Sequence, residues 1–294
     1  MAKLDAFSEI LQTNVPTANL TWLRLGGPVE FLARPRSEKE LSGLLKACQF
    51  DGLDVRVIGD GSAILVPDVG APGLAIQLSE PAFTEIKIDG TSVVAGAGAK
   101  LGRLVTSTAS AGLSGLEGLI GVPGTVGGAV VANASTTDVS LGQWVESVRV
   151  ATYDGKTSDL SQDELVFGYR SSNLDVAIVL SVTFRLEPDD AEELTKRLQK
   201  IWIVREQSRP DLAEGEGFAR VFKNPRGQRA AELVDEAGFR GARIGGATIC
   251  DANPNLIQTS RECSSDDVRR LIALIQKQAR ERIGVELESE LTVW

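Results

Sequence analysis

Histidine is absent from the 294 residues, and cysteine (3), tyrosine (2) and methionine (1) are scarce. Without an imidazole, neither a Ser-His-Asp nor a Cys-His nucleophile system can be assembled. A structural zinc would have to rely on several thiolates or carboxylates. Cys48, Cys250 and Cys263 are odd in number, scattered, and form no CxxC. They read as free thiols in a reducing compartment, packed as small apolar residues. Positive charge is also in deficit. Lysine and arginine number 31 against 40 acidic residues, a net charge of −9, which argues against a broad nucleic-acid surface.

Long apolar runs are missing too. Met1–Val15 has no apolar core of signal-peptide length. Gly118–Thr137 carries no charge but contains Pro123 and five glycines. That composition fits a buried turn approached by a ligand better than a membrane span. The expectation is a cytoplasmic protein with no membrane or nucleic-acid partner. Hydrophobic residues at 43% and charged ones at 24% are ordinary globular values, and the length suits two or three domains.

Periodicity then places the elements. Ser37 and Glu40 form a capping box before a helix over 37–49, with Leu41, Leu44, Leu45 and Cys48 on one face. Strands are expected at Val55–Ile58, Gly73–Leu78, Phe83–Ile88, Ser92–Ala95, Trp144–Tyr153 and Val176–Leu186, with a turn at Asp154-Gly155. A helix over Lys100–Ala111 ends at Gly112. Another opens at Pro188-Asp189-Asp190 and runs to Glu206, and the polar connection Gln207–Gly217 marks a boundary.

Beyond that boundary, a short helix Arg229–Ala237 stops at Gly238, and Arg243–Thr248 suggests a strand. Ser264-Ser265-Asp266-Asp267 caps a long helix ended by Gly284. Two β-like runs follow, Val285–Leu287 and Leu291–Trp294. The β runs in the middle are too close together for simple βαβ units, so the fold class is α+β.

Five motifs can carry chemistry. Gly59-Asp60-Gly61-Ser62 follows a strand, where backbone N–H groups can form a nest for a pyrophosphate. It is not the dinucleotide GxGxxG, and a bare strand-to-helix turn uses glycine as readily. Gly121-Val122-Pro123-Gly124-Thr125-Val126-Gly127-Gly128-Ala129, followed by Asn133-Ala134, allows close backbone approach to a planar or phosphorylated ligand. Phe167-Gly168-Tyr169-Arg170-Ser171-Ser172 presents a guanidinium fork, or else a surface arginine at a strand end. Val221-Phe222-Lys223-Asn224-Pro225 sets a cation and an amide before a rigid turn. In Glu286-Leu287-Glu288-Ser289-Glu290-Leu291, alternation places the three glutamates on one face, by default a solvated one.

Taken in order, these motifs resemble the UDP-N-acetylenolpyruvoylglucosamine reductase (UDP-N-acetylmuramate dehydrogenase) family. Thr21-Trp22-Leu23-Arg24-Leu25-Gly26-Gly27, Gly115-Leu116-Glu117, Arg243-Ile244-Gly245-Gly246 and Gly284-Val285 extend the match over nearly the whole chain. The resemblance implies a two-subdomain FAD-binding module of the vanillyl-alcohol-oxidase/p-cresol-methylhydroxylase type, over 1–80 and 81–190. A C-terminal α/β substrate-binding domain over 191–294 completes it. It implies FAD as cofactor, NADPH as co-substrate and a UDP-sugar substrate, in a monomer or weak homo-oligomer that serves peptidoglycan precursor synthesis.

Residue by residue, the resemblance assigns FAD binding to Arg24, Gly59, Asp60, Gly61, Ser62, Gly121, Val122, Pro123, Gly124, Thr125, Gly127 and Gly128. It assigns substrate binding to Tyr169, Lys223 and Asn224, and catalysis to Arg170 and Glu290. At the family's proton-donor position, normally Ser or Cys after Gly, stand Ala219 and Arg220. No serine occurs from Arg209 to Thr259. Asn253-Pro254-Asn255-Leu256 replaces His-Ala-Asn-Phe, Ala63 an asparagine and Ser135 a glycine. Three readings follow: a reductase with rewired proton delivery, a non-catalytic flavin or sugar-nucleotide binding homologue, and a flavoenzyme acting on another substrate.

Overall fold

The computed structural model describes residues 4–136 and 139–294. The first three residues of the Met1–Val15 segment and Thr137, which ends the uncharged run, lie outside them. The chain divides into two compact units. One comprises Met1–Thr13, Phe31–Asp60 and Gly73–Glu206; the other comprises Asn14–Glu30, Gly61–Pro72 and Gln207–Trp294. The chain passes between them within Leu11–Pro16, Pro28–Ala33 and Ala71–Ile76, and again after Asp60 and after Glu206.

The first unit is built on a five-stranded antiparallel sheet in the order Thr157–Ser161, Val145–Ala151, Ile178–Arg185, Ser92–Gly96, Ile86–Asp89. In the third strand Ile178, Leu180, Val182 and Phe184 alternate inward and are buried. This period of two is what the apolar alternation dictates. Helices Leu101–Ser110 and Ala191–Glu206 add Leu101, Leu104, Leu194 and Leu198 to the same core. Emptying one of the large sites, for example Phe184→Ala, costs about 3–5 kcal/mol.

Helix Glu38–Asp51 starts where expected, with Ser37 Oγ accepting from Glu40 N at 3.2 Å and Gly52 closing it at φ 68°. The capping box is not reciprocal, because Glu40 Oε2 accepts instead from Arg36 N at 2.6 Å. The strand expected over Phe83–Ile88 begins only at Ile86. Pro81–Thr84 forms a helical turn, since Pro81 at its first position is preset for helix. Trp144 ends a 3₁₀ turn, and the strand starts at Val145.

The second unit has a four-stranded antiparallel sheet in the order Gly217–Arg220, Leu256–Thr259, Ala247–Ile249, Arg243–Ile244. Helices Ala230–Glu236 and Ser265–Ile283 complete its core through Leu233, Val234, Val268, Leu271 and Ile275. Arg243–Thr248 is a hairpin rather than one strand. Gly245 turns the chain at φ 53°, a region open to glycine. The long helix is capped as expected: Ser264 Oγ accepts from Asp267 N, and Asp267 Oδ2 from Ser264 N, both at 3.1 Å. Of the two terminal β-like runs only Thr292–Val293 is a strand, parallel to Ile64–Leu65. Among the described residues, no helix is long and apolar enough to cross a membrane.

Candidate functional site

In the first unit the strand Val55–Val57 delivers Gly59 and Asp60, and two further segments meet them. Lys100, just before helix Leu101–Ser110, pairs its ammonium with Asp60. Its backbone bridges Thr125. Thr125 in turn caps helix Val126–Val131, accepting from Gly128 N at 3.4 Å. A Cβ on Gly59 would lie 2.5 Å from Thr125 Oγ1, so a side chain there would displace the Thr125 hydroxyl. The Gly59-Asp60 and Gly121–Gly128 motifs, 61 positions apart in sequence, are thus one structure. Lys100 was not among the expected site residues; nothing in its own neighbourhood marks it.

The glycines of the second motif do different jobs. Gly127 N donates to Ala97 O at 2.8 Å, and a Cβ there would sit 2.9 Å from Ala97 Cβ. That glycine permits packing against protein. Gly128 is exposed, and a Cβ on it would meet only Thr125 Oγ1, at 3.6 Å. Behind this loop, helix Ala191–Glu206 acts as a brace. Arg197 Nη1 holds Glu117 Oε1 at 2.7 Å, and Arg205 donates to Gly118 O at 2.7 Å and to Ile120 O.

Tyr169 and Arg170 are the turn of the hairpin Phe167–Gly168/Ser171–Ser172. Arg170 takes φ 54°, a left-handed conformation that costs a non-glycine residue about 1–3 kcal/mol. Its guanidinium carbon lies 6.0 Å from the Tyr169 ring centroid. Asn133, itself at φ 40° and buried, donates from Nδ2 to Gly168 O at 2.7 Å.

In the second unit, Gly61 O accepts from Trp22 N at 3.0 Å. This sets Gly61 and Ser62 beside the Thr21–Gly27 motif, whose Arg24 is exposed at φ 55°. Thr259 Oγ1 donates to Leu23 O at 2.7 Å, tying that motif to the four-stranded sheet. The backbone N–H groups of Asp60 and Ser62 donate to no backbone carbonyl among the described residues.

The chain's end runs antiparallel to Val221–Lys223. Glu290 N donates to Val221 O at 2.8 Å and Lys223 N to Glu288 O at 2.9 Å. This brings Arg220 to Glu290 and Lys223 to Glu288. Arg220 Nε stands 3.9 Å from Glu290 Oε2, and Lys223 Nζ 2.5 Å from Glu288 Oε1. The three glutamates do not share one solvated face. Glu286 and Glu288 side chains are 81% and 72% exposed, Glu290 only 18%. Asn224 Oδ1 accepts from Ala230 N at 2.9 Å, supporting the start of helix Ala230–Glu236.

Asn255, buried, clamps Phe222 with a reciprocal pair, Phe222 N to Oδ1 at 2.9 Å and Nδ2 to Phe222 O at 2.8 Å. The altered Asn253–Leu256 segment therefore keeps a side chain that holds Phe222, the residue before Lys223, in place.

An FAD binding domain matches residues 29–161, and residues 213–294 match the UDP-N-acetylenolpyruvoylglucosamine reductase C-terminal domain. This defines a flavin-dependent oxidoreductase of α+β architecture, with a vanillyl-alcohol-oxidase-type FAD module and a C-terminal domain. The full chain is 40% identical over 285 residues to the UDP-N-acetylenolpyruvoylglucosamine reductase of Rhodopirellula baltica, covering 97% of this chain and 93% of that one. It is 38% identical to that of Moorella thermoacetica, covering 96% and 92%. The Thermus caldophilus UDP-N-acetylenolpyruvylglucosamine reductase structure superposes with a TM-score of 0.80 at 34% identity, over 97% and 98% of the two chains. A berberine-bridge-enzyme-like protein of Physcomitrella patens, at 13% identity and TM-score 0.58 over 91% and 84%, shares the fold alone. The chain belongs to the UDP-N-acetylenolpyruvoylglucosamine reductase family.

Proposed function

We propose that this protein reduces UDP-N-acetylglucosamine enolpyruvate to UDP-N-acetylmuramate at the expense of NADPH, as a step of peptidoglycan precursor synthesis in the cytoplasm. One observation carries the reading: the 40% identity runs through 97% of the chain and so spans both units. Bound FAD supplies the relay of a hydride from NADPH to the enolpyruvyl double bond. The residues fit that group. In the first unit Asp60 offers a backbone donor not used by a backbone carbonyl among the described residues, Lys100 brings a cation beside it, and Gly128 leaves an open surface.

Arg170 takes the substrate carboxylate. Hydride addition to the double-bond carbon remote from that carboxylate builds enolate-like charge on the carbon that bears it, and a fixed guanidinium placed there stabilises the transition state. Tyr169, Lys223 and Asn224 bind the substrate. The remaining proton must reach the other carbon. A guanidinium does not release one near neutral pH, so Arg220 cannot replace the family's Ser or Cys as donor. Glu290 Oε2, held beside Arg220, moves the proton instead, and Arg220 adds positive charge.

The test uses purified FAD-loaded protein and follows NADPH oxidation with and without UDP-N-acetylglucosamine enolpyruvate. Substrate-dependent oxidation with one lactyl ether formed per NADPH supports the reading. A yellow protein that binds the nucleotide but oxidises no NADPH in its presence makes this a non-catalytic homologue.

A further inference from the structure

Both strands of the arginine hairpin are pinned to the far end of one short helix. That helix, Val126–Val131, starts at Thr125 in the glycine loop and stops at Ala132. Ser172 Oγ donates to Val131 O at 2.7 Å, which fixes the outgoing strand. Asn133 Nδ2 donates to Gly168 O at 2.7 Å, which fixes the residue two before Arg170. The Asn133 carboxamide oxygen is locked in turn, accepting from Ser140 Oγ at 2.8 Å and Gly142 N at 2.9 Å.

Asn133 is only 5% exposed and has three good hydrogen bonds, so its orientation is set. Its φ of 40° and the 54° of Arg170 are two of four left-handed non-glycine residues among the described ones. One hydrogen bond to Gly168 connects the two. Strained backbone persists where the surroundings over-determine it, and here the carboxamide supplies that constraint.

We propose that Asn133 is the positioning residue of Arg170. Its carboxamide transmits the register of the glycine-loop helix to the Tyr169–Arg170 turn and holds the guanidinium where the substrate carboxylate binds. This rests on the reading of Arg170 as the substrate-carboxylate residue. A displacement of the order of 1 Å in such a group costs up to about 100-fold in rate.

Asn133→Gly is the informative variant, because glycine takes φ 40° without strain and only the carboxamide is lost. FAD-loaded wild type, Asn133→Gly, Arg170→Ala and the double variant are compared for kcat, KM, FAD content and thermal midpoint. Enolpyruvyl substrate affinity is read from the flavin absorbance. Asn133→Gly is expected to keep its FAD and lose about 10- to 100-fold in kcat/KM with weaker substrate binding. On the Arg170→Ala background the same change is expected to cost less than about twofold, since its route to the chemistry is gone.

Independent losses that multiply in the double variant, an unaffected Asn133→Gly, or a loss of activity that tracks loss of FAD overturns the proposal while leaving Arg170 its role. Wild-type-like behaviour of Arg170→Ala removes the Arg170 reading itself, and the proposal with it. If Asn133→Gly fails to fold, Asn133→Asp keeps both acceptor bonds and turns a carboxylate oxygen on Gly168 O. It is expected to show the same loss, and wild-type kinetics there overturns the proposal.

Discussion

Glu290 Oε2 is held 3.9 Å from Arg220 Nε because the Glu290 backbone N–H is bonded to Val221 O, the carbonyl next to Arg220. The strand Gly217–Arg220 buries Ala219 and exposes Arg220, so the side chain at the family's donor position points away from the core. The Glu290 side chain is only 18% exposed, and its carboxylate beside the guanidinium is a group through which a proton can pass.

Glu290→Gln is therefore expected to lower kcat by about 10²–10⁴-fold, the usual effect of removing a positioned acid, with FAD content unchanged. Arg220→Ser places a hydroxyl where relatives carry their donor, and in the Glu290→Gln background it should recover part of the rate. Steady-state NADPH oxidation on the two single variants and the double one decides this. Full activity of Glu290→Gln would remove the carboxylate from proton delivery.

Gly59 and Thr125 give a second expectation. Gly59→Val would drive side-chain atoms into Thr125, which caps the glycine-loop helix. Overpacking of this kind costs about 1–3 kcal/mol, and here it displaces the loop assigned to the flavin. The purified variant should carry much less FAD per chain by absorbance. Lys100→Met separates charge from packing. Lys100 is 61% exposed and Asp60 21%, so with the cation in solvent stability should change by no more than about 1 kcal/mol. FAD affinity, measured by fluorescence titration, should fall while the thermal midpoint of the apoprotein stays put.

The legible part of this molecule was what local chemistry writes into the chain. Ser37, Ser264 with Asp267, and Gly284 announce helix ends, because a cap needs only its own neighbours. The period-two run Val176–Leu186 announces the central strand for the same reason. What stayed hidden depends on distant residues. Lys100 becomes part of the loop only when Asp60, 40 positions away, folds onto it. Asn255 acts on Phe222 across 33 positions. The glutamate alternation misled at Glu290, whose side chain is 18% exposed beside Arg220, a residue 70 positions away. Pro81 and Gly245 were readable but were outweighed by the β-prone residues around them.

Asp267 shows how a cap becomes pH-sensitive. Its carboxyl is held below the usual carboxylate range, first by the Ser264 N–H, then by the Gly246 N–H, with Ser264 Oγ and Arg270 helping. A group that titrates lower in the folded chain stabilises it above its unfolded value, and that contribution is lost as the pH falls through the carboxylate range. Asp267→Ala is expected to destabilise the protein by about 0.5–2 kcal/mol near neutral pH, the cost of losing a cap. Urea unfolding of both forms should show the gap closing at acid pH. A gap that stayed constant would mean the carboxylate charge is not what the cap uses.

Cys48 and Cys263 behave in the opposite sense. Burial, and then the charge of Asp51, pushes the Cys48 thiol up to about 11 from an ordinary 9.0. Burial, followed by Asp267 and Asp68, pushes Cys263 up to about 12. Both are protonated at neutral pH, and the thiolate is the reactive form. A disulfide reagent at mildly alkaline pH should leave both unlabelled in the folded protein and label them after denaturation, read by mass spectrometry. The linkage follows from the same values. Between pH 9 and 11 the unfolded chain has lost the Cys48 proton that the folded chain retains, so stability falls with rising pH in that window and is complete below it. Cys48→Ala removes this titration. The wild type should lose stability relative to the variant as the pH is raised past about 9; parallel curves for the two would show that Cys48 titrates alike in both states.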